Sequence, residues 1–140
     1  AKDTPRAIRA LEDTLKVDHA DVESARQLVS LVEPLGDAAR TEAAYKRIVD
    51  VDPFDGKAQA RLGQLALRRK DTTTAVRAFR SVVATNPPDR ASAHTDLAEA
   101  LVAARQLKEA KTETLNALEI APGYDRALDL LLKINASGGG

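Results

Sequence analysis

Apolar residues along this chain recur in helical stripes rather than in alternation. With Val22, Gly56 and Ala91 taken as the first positions of three segments, position seven holds Leu28, Leu62 and Leu97. Position eight holds Val29, Gly63 and Ala98, and position eleven holds Val32, Ala66 and Leu101. These positions are i, i+1 and i+4, one face of a helix. In the second half of each segment, position 20 reads Thr41, Ala75 and Ala110, and position 24 reads Tyr45, Phe79 and Thr114. Positions 27 and 28 read Ile48-Val49, Val82-Val83 and Ala117-Leu118. Each segment therefore predicts two amphipathic helices. Small residues let them approach closely, and larger ones fill the grooves between them.

The segments close on Asp50-Val51-Asp52-Pro53, Ala84-Thr85-Asn86-Pro87 and Ile120-Ala121-Pro122-Gly123. Pro53 and Pro87 are 34 residues apart, and Pro87 and Pro122 are 35 apart, with the extra residue in the turn at Pro88-Asp89-Arg90. A period near 34 is the length of one two-helix unit, and it predicts a solenoid. Asp21, Asp37, Asp55 and Asp71 precede apolar-periodic stretches as N-caps. Gly36 suits a left-handed helix end, and Pro34 shortens or kinks the helix before it. Arg105-Gln106 makes the least regular of the turns inside the segments.

The boundaries read as an orphan helix at 5–16, repeats at 22–55, 56–89 and 91–124, a capping helix at 125–134 and a flexible tail at 136–140. Thr4 is read as the cap and Pro5 as the first residue of the orphan helix. Ala7 and Leu11 match positions 20 and 24, so that helix is a second helix without its first. An array that starts halfway through a unit is expected to be a domain of a larger protein. About seven helices are expected: the orphan, three pairs and the cap.

The order Leu62-Gly63, Ala75, Phe79 and Pro87 resembles the tetratricopeptide repeat (TPR). The resemblance covers residues 5–135 and is degenerate outside the middle repeat. Gln59 and His94 stand where that family favours a large apolar residue, and Thr114 replaces an aromatic. It implies an all-α fold, a right-handed α–α superhelix, in which the first helix of each pair lines a concave groove. The residues it places there include Arg26 and Ser30, then Lys57, Arg61, Gln64 and Arg68, then Thr95 and Glu99. Arg61 and Arg68, seven residues apart on one helix, project to the same side and with Lys57 and Gln64 form a row suited to an acidic or extended peptide. TPR domains that clamp the acidic tails of heat-shock chaperones use Lys, Asn and Arg where this chain has Arg26, Ser30, Arg61, Ser92 and Asp96. Asp96 has the wrong charge for a carboxylate ligand, and the clamp reading is rejected.

Composition narrows the alternatives. The 140 residues carry 21 basic and 21 acidic side chains, no Cys, Met or Trp, and four aromatics: Tyr45, Phe54, Phe79 and Tyr124. Disulfides and thiolate metal sites are excluded. There is no zinc spacing around His19 or His94, no phosphate-cradling glycine loop and no nucleophile elbow. No catalytic residue, metal or cofactor is therefore expected, and Glu109 and Glu113 read as a solvated helix face. Repeat two has a net charge of +5 and repeat one of −3, but without interleaved aromatics the basic stretch is a weak case for nucleic acid. No apolar run is long enough to span a membrane and no signal-like segment opens the chain, which leaves its compartment open. The leading expectation is a protein- or peptide-binding scaffold. The alternative is self-association through Ile8, Leu11 and Leu15 at one end and Leu128, Leu130, Leu131, Leu132 and Ile134 at the other.

Overall fold

The computed structural model describes residues 3–138. The helices are α1 (Thr4–Val17), α2 (Val22–Val32), α3 (Ala38–Val51), α4 (Gly56–Arg68), α5 (Thr72–Ala84), α6 (Arg90–Ala103), α7 (Leu107–Ile120) and α8 (Asp125–Ala136). A 3-10 turn at Glu33–Leu35 follows α2. Among the described residues there are eight α-helices, not about seven, because an orphan, three pairs and a terminal helix already make eight. Helix α1 begins at Thr4, one residue before the expected start, with Asp3 at the cap position making no side-chain cap bond. Helix α8 continues through Ala136, past the expected end at Ile134, and Ser137 donates back to the Lys133 carbonyl at 3.0 Å. The expected flexible tail thus starts inside a helix, and its last two residues lie outside the described ones.

Each helix packs on its neighbours in sequence, and beyond those the main contact is between α6 and α8. Apart from that contact each element packs chiefly on its sequence neighbours, close to a one-dimensional stack. The core follows suit and divides in two. Ile8, Leu15, Leu28, Val32, Ile48 and Leu62 form one cluster, and Phe79, Leu97, Leu101, Leu130 and Ile134 belong to the other. Gly63 sets the closest approach: a Cβ there would lie 2.9 Å from the Phe79 ring.

Asp21, Asp37, Asp55 and Asp71 accept from the backbone N–H of Ser24, Arg40, Ala58 and Thr74, and Asp89 does the same with Ser92. The Ser24 hydroxyl and N–H hold the Asp21 carboxyl below its ordinary range, and the Thr74 hydroxyl and N–H do so at Asp71. At Asp55 burial pushes upward but is outweighed by the Ala58 N–H and the Arg26 guanidinium. Carboxyls depressed in the fold stabilise it above the unfolded pKa of about 3.9 and lose that stabilisation as the pH falls through the lower folded values. Asp96 runs the other way, because burial outweighs the Arg126 guanidinium and raises its carboxyl. Thermal denaturation followed by circular dichroism should show a Tm that holds or rises slightly from neutrality to about pH 4, as Asp96 takes up its proton in the fold, then a steady fall below it. A Tm that rises below pH 4 would contradict this reading of the caps.

Pro34 cannot donate a backbone hydrogen bond, so α2 tightens into the 3-10 turn and exits through Gly36 at φ 74°. Lys70 (φ 66°) and Arg105 (φ 65°) hold the matching left-handed position in the next two repeats. Both turns are closed alike: Asp71 N–H donates to the Ala66 carbonyl and Gln106 N–H to the Leu101 carbonyl, each at 2.9 Å. The Arg105-Gln106 turn is thus as regular as its neighbour. A side chain at such a position costs about 1 kcal/mol against glycine. Arg105→Gly is accordingly expected to raise stability by about 1 kcal/mol in urea denaturation, and an unchanged midpoint would count against strain at this turn.

Candidate partner-binding groove

The sequence places eight polar residues along the first helices, and the structure treats them differently. Lys57, Gln64 and Arg68 are exposed on α4, and Ser30 is exposed on α2 with its hydroxyl donating to the Gln27 carbonyl at 2.7 Å. Thr95 is not a groove residue. It is 0% exposed, and its hydroxyl donates to the Ala91 carbonyl at 2.8 Å within α6, because the small residues of α6 bring the neighbouring helices down over it.

The charged members are largely engaged. Arg26 donates to Asp55 at 2.7 Å. Arg61 donates to Glu33 at 2.8 Å and to Gln64 Oε1 at 2.6 Å, and the Tyr45 hydroxyl donates to the other Glu33 oxygen at 2.6 Å. Burial and then the Glu33 carboxylate raise the Tyr45 phenol, which stays a donor. Glu99 receives Arg126 at 2.9 Å, and Asp96 receives the same guanidinium at 2.7 Å. Arg69 grips Glu42 through both Nε and Nη2, and Arg80 pairs with Glu109.

These bridges share one feature that sequence reasoning missed. Each joins an Arg to a carboxylate 27 to 30 residues away, and all but Arg26–Asp55, which ties repeat one to the cap of α4, stitch adjacent units together. The signal was present as Arg and acid separated by slightly less than one period. Three of the seven cations of repeat two, Arg61, Arg69 and Arg80, are paired this way. Glu109 and Glu113 are not a plain solvated face either: Glu109 meets Arg80, and Glu113 lies 2.6 Å from His94 Nδ1 with both side chains mostly buried. Gln59, the other polar residue at an apolar family position, is buried and donates to the Pro53 carbonyl at 3.0 Å.

The predicted row on α4 is therefore interrupted. Arg61 in its middle is neutralised, and Arg68 opens onto a separate hollow over Ala38, Ala39 and Ala43. What the structure does bring together centres on Lys57. One hollow lies between α2 and α4, lined by Arg26, Val29, Tyr45, Ile48, Lys57 and Ala60. A second lies between α4 and α6, lined by Phe54, Lys57, Ala60, Val82, Pro87 and Pro88. Asp55, Lys57 and Ala60 belong to both. Phe54 is 78% exposed at the mouth of the second, and the apolar pattern gave no hint of it because it sits in a turn. A third hollow, along α6 and α8, carries Glu99, Val102, Arg126 and Leu130.

Among the described residues no three His, Asp or Glu side chains gather as a metal site would require, and no helix is long and apolar enough to cross a membrane.

A family model for the tetratricopeptide repeat matches residues 34–87 and 71–125. Among solved structures, MamA 41-end from Desulfovibrio magneticus RS-1 is 24% identical over 96% of this chain and 76% of its own, with a TM-score of 0.74. The first TPR of Spaghetti (RPAP3), bound to the HSP90 peptide SRMEEVD, is 21% identical over 88% of this chain and 97% of its own, at 0.71. The second TPR domain of human RPAP3, in complex with the HSP70 peptide SGPTIEEVD, is 20% identical over 84% of this chain and 95% of its own, at 0.69. Likeness at these identities is one of fold. A comparison with curated proteins finds no match.

Proposed function

Because the chain belongs to the tetratricopeptide repeat family, we propose that it is a non-catalytic scaffold holding an extended protein or peptide segment across its first helices. The observation that carries the reading is the pair of adjoining hollows that share Asp55, Lys57 and Ala60, with Phe54 exposed at one mouth. The Lys57 ammonium is exposed and enters no ion pair among the described residues, so it is available to a carboxylate. The hollow of Phe54, Val82, Pro87 and Pro88, which Lys57 itself lines, offers an apolar seat beside the ammonium, with Asp55, Asp89 and Asp96 also on its lining. A segment with an apolar side chain near an acidic one matches both features.

The chaperone peptides held by Spaghetti and human RPAP3 end in EEVD. At the positions that would grip such a tail, Arg26, Arg61 and Asp96 of this chain are engaged with Asp55, Glu33 and Arg126. An EEVD-ending peptide is expected not to bind.

Peptides selected from a display library against the intact chain test the site. Lys57→Glu and Phe54→Ala should each weaken the selected peptides by about tenfold, near 1.4 kcal/mol, in fluorescence anisotropy. Ile120→Ala, at a distant exposed residue, should leave them unchanged. Retention of full affinity in both groove variants would remove the proposal.

A further inference from the structure

We propose that the crevice lined by α3, α4 and α5 binds a small zwitterion of the amino-acid class. It measures about 290 Å³, at the lower end of the range of small-molecule sites. It shares no lining residue with the two hollows around Lys57, so it stands apart from the groove.

Gln59, only 7% exposed, lies on this lining. Its Nε2 donates to the Pro53 carbonyl at 3.0 Å, but no hydrogen bond reaches its Oε1 among the described residues. Arg61 Nε is the one buried side-chain atom there that is both sealed and unpartnered, so Gln59 Oε1 keeps access to the crevice. A carbonyl oxygen in such a setting is completed by a donor. Register brings further acceptors beside it. A Cβ on Gly56 would lie 3.2 Å from Thr85 Oγ1, and one on Gly63 2.9 Å from the Phe79 ring. Gln59 lies between those two glycines and therefore stands level with the Ser81 turn of α5. Ser81 gives its hydrogen to the Arg77 carbonyl and keeps oxygen lone pairs free, and Asp50 lines the same crevice. An ammonium group suits this end.

The neighbouring turn supplies the opposite charge. Of the three cations on the lining, Lys46 is held by Asp50 at 2.9 Å and Arg69 by Glu42 at 2.6 Å. Arg77 is exposed, enters no ion pair among the described residues and is free to take a carboxylate. It precedes Ser81 by one helical turn, about 5–6 Å. Acceptors and a guanidinium at that spacing match a molecule whose ammonium and carboxylate sit close together. Val49, Leu62 and Ala78, all buried, give its side chain an apolar wall. The next unit differs. There Arg80 pairs with Glu109, and His94 Nδ1 lies 2.6 Å from Glu113, so these polar groups satisfy one another.

Amide-detected NMR titration of the intact chain with each common L-amino acid tests the site, with acetate and methylammonium as the separate halves. At least one amino acid should give saturable shifts at Gln59, Arg77 and Ser81, and should bind about tenfold more tightly than either half. Arg77→Gln, a change at an exposed residue, should weaken that amino acid by about tenfold with the thermal midpoint unchanged. Gln59→Leu should weaken it as well, while Arg90→Gln, at an exposed cation outside the crevice, should have no effect. Three results would each overturn the proposal. One is a set of amino acids none of which shifts those residues saturably. Another is acetate binding as tightly as any amino acid, which would make the site a plain anion site. The third is full affinity retained in both Arg77→Gln and Gln59→Leu.

Discussion

Phe79→Ala is expected to lower stability by about 3–5 kcal/mol, a large share of the roughly 5–15 kcal/mol that holds a domain folded. The ring is 2% exposed and belongs to the cluster that holds Leu97, Leu101 and Ile134. It also lies on the bare backbone of Gly63, so its removal opens a void that no neighbouring side chain reaches across. In a stack where each helix contacts little beyond its sequence neighbours, this loss should separate the two halves of the core. Urea denaturation should show a broadened transition as well as an earlier midpoint. Gly63→Ala tests the same contact from the other side. Alanine gains about 1 kcal/mol of helix propensity over glycine, while its Cβ forces the Phe79 ring aside at a cost of about 1–3 kcal/mol. The net is a loss, and combining Gly63→Ala with Phe79→Ala should recover part of it. A double variant worse than both single ones added together would show that the two side chains do not share a space.

The second large effect is expected from Arg61→Glu, at about 2 kcal/mol of stability. Arg61 and Glu33 are each about one-third exposed in their side chains and 2.8 Å apart, with Tyr45 on the other Glu33 oxygen. Reversal leaves two carboxylates facing each other and Tyr45 as the remaining donor. Arg61→Met should cost less, because it removes the charge but keeps the stem packed. Lys57→Glu meets no such partner and should leave the thermal midpoint within about 0.5 kcal/mol of wild type. The comparison separates a binding residue from a structural one: reduced partner capture in Arg61→Glu together with an earlier Tm reports the loss of the inter-repeat bridge. An unchanged Tm in Arg61→Glu would return Arg61 to the groove.

Much of this molecule is legible in its pattern. Leu28, Leu62 and Leu97 at one register position, with Ala75 and Ala110 at another, specify paired helices without help from distant residues, because helical stripes and caps are local properties. Asp21, Asp37, Asp55 and Asp71 cap where their placement predicts, since a cap needs only its own next three residues. Gly63 could be anticipated as a close helix contact, because it stands on the packed stripe at the register position of Val29 and Ala98.

The site was far less legible. Lys57, Gln64 and Arg68 are exposed as their positions imply, but Thr95 at an equivalent place is sealed, and Arg61 is tied to Glu33. Helix periodicity states which way a side chain leaves its own helix. It does not state how near the next helix comes, and that distance decides whether Thr95 meets solvent. Nor does it pair charges across units: Arg61 with Glu33, Arg69 with Glu42 and Arg126 with Asp96 meet only after the stack is built. By itself the sequence determined the helices, their capping and their repeat period, all set within one turn or one unit of chain. Tertiary structure alone decided which cations remain available to a partner and which polar residues of the first helices are sealed, because both depend on what the neighbouring unit covers.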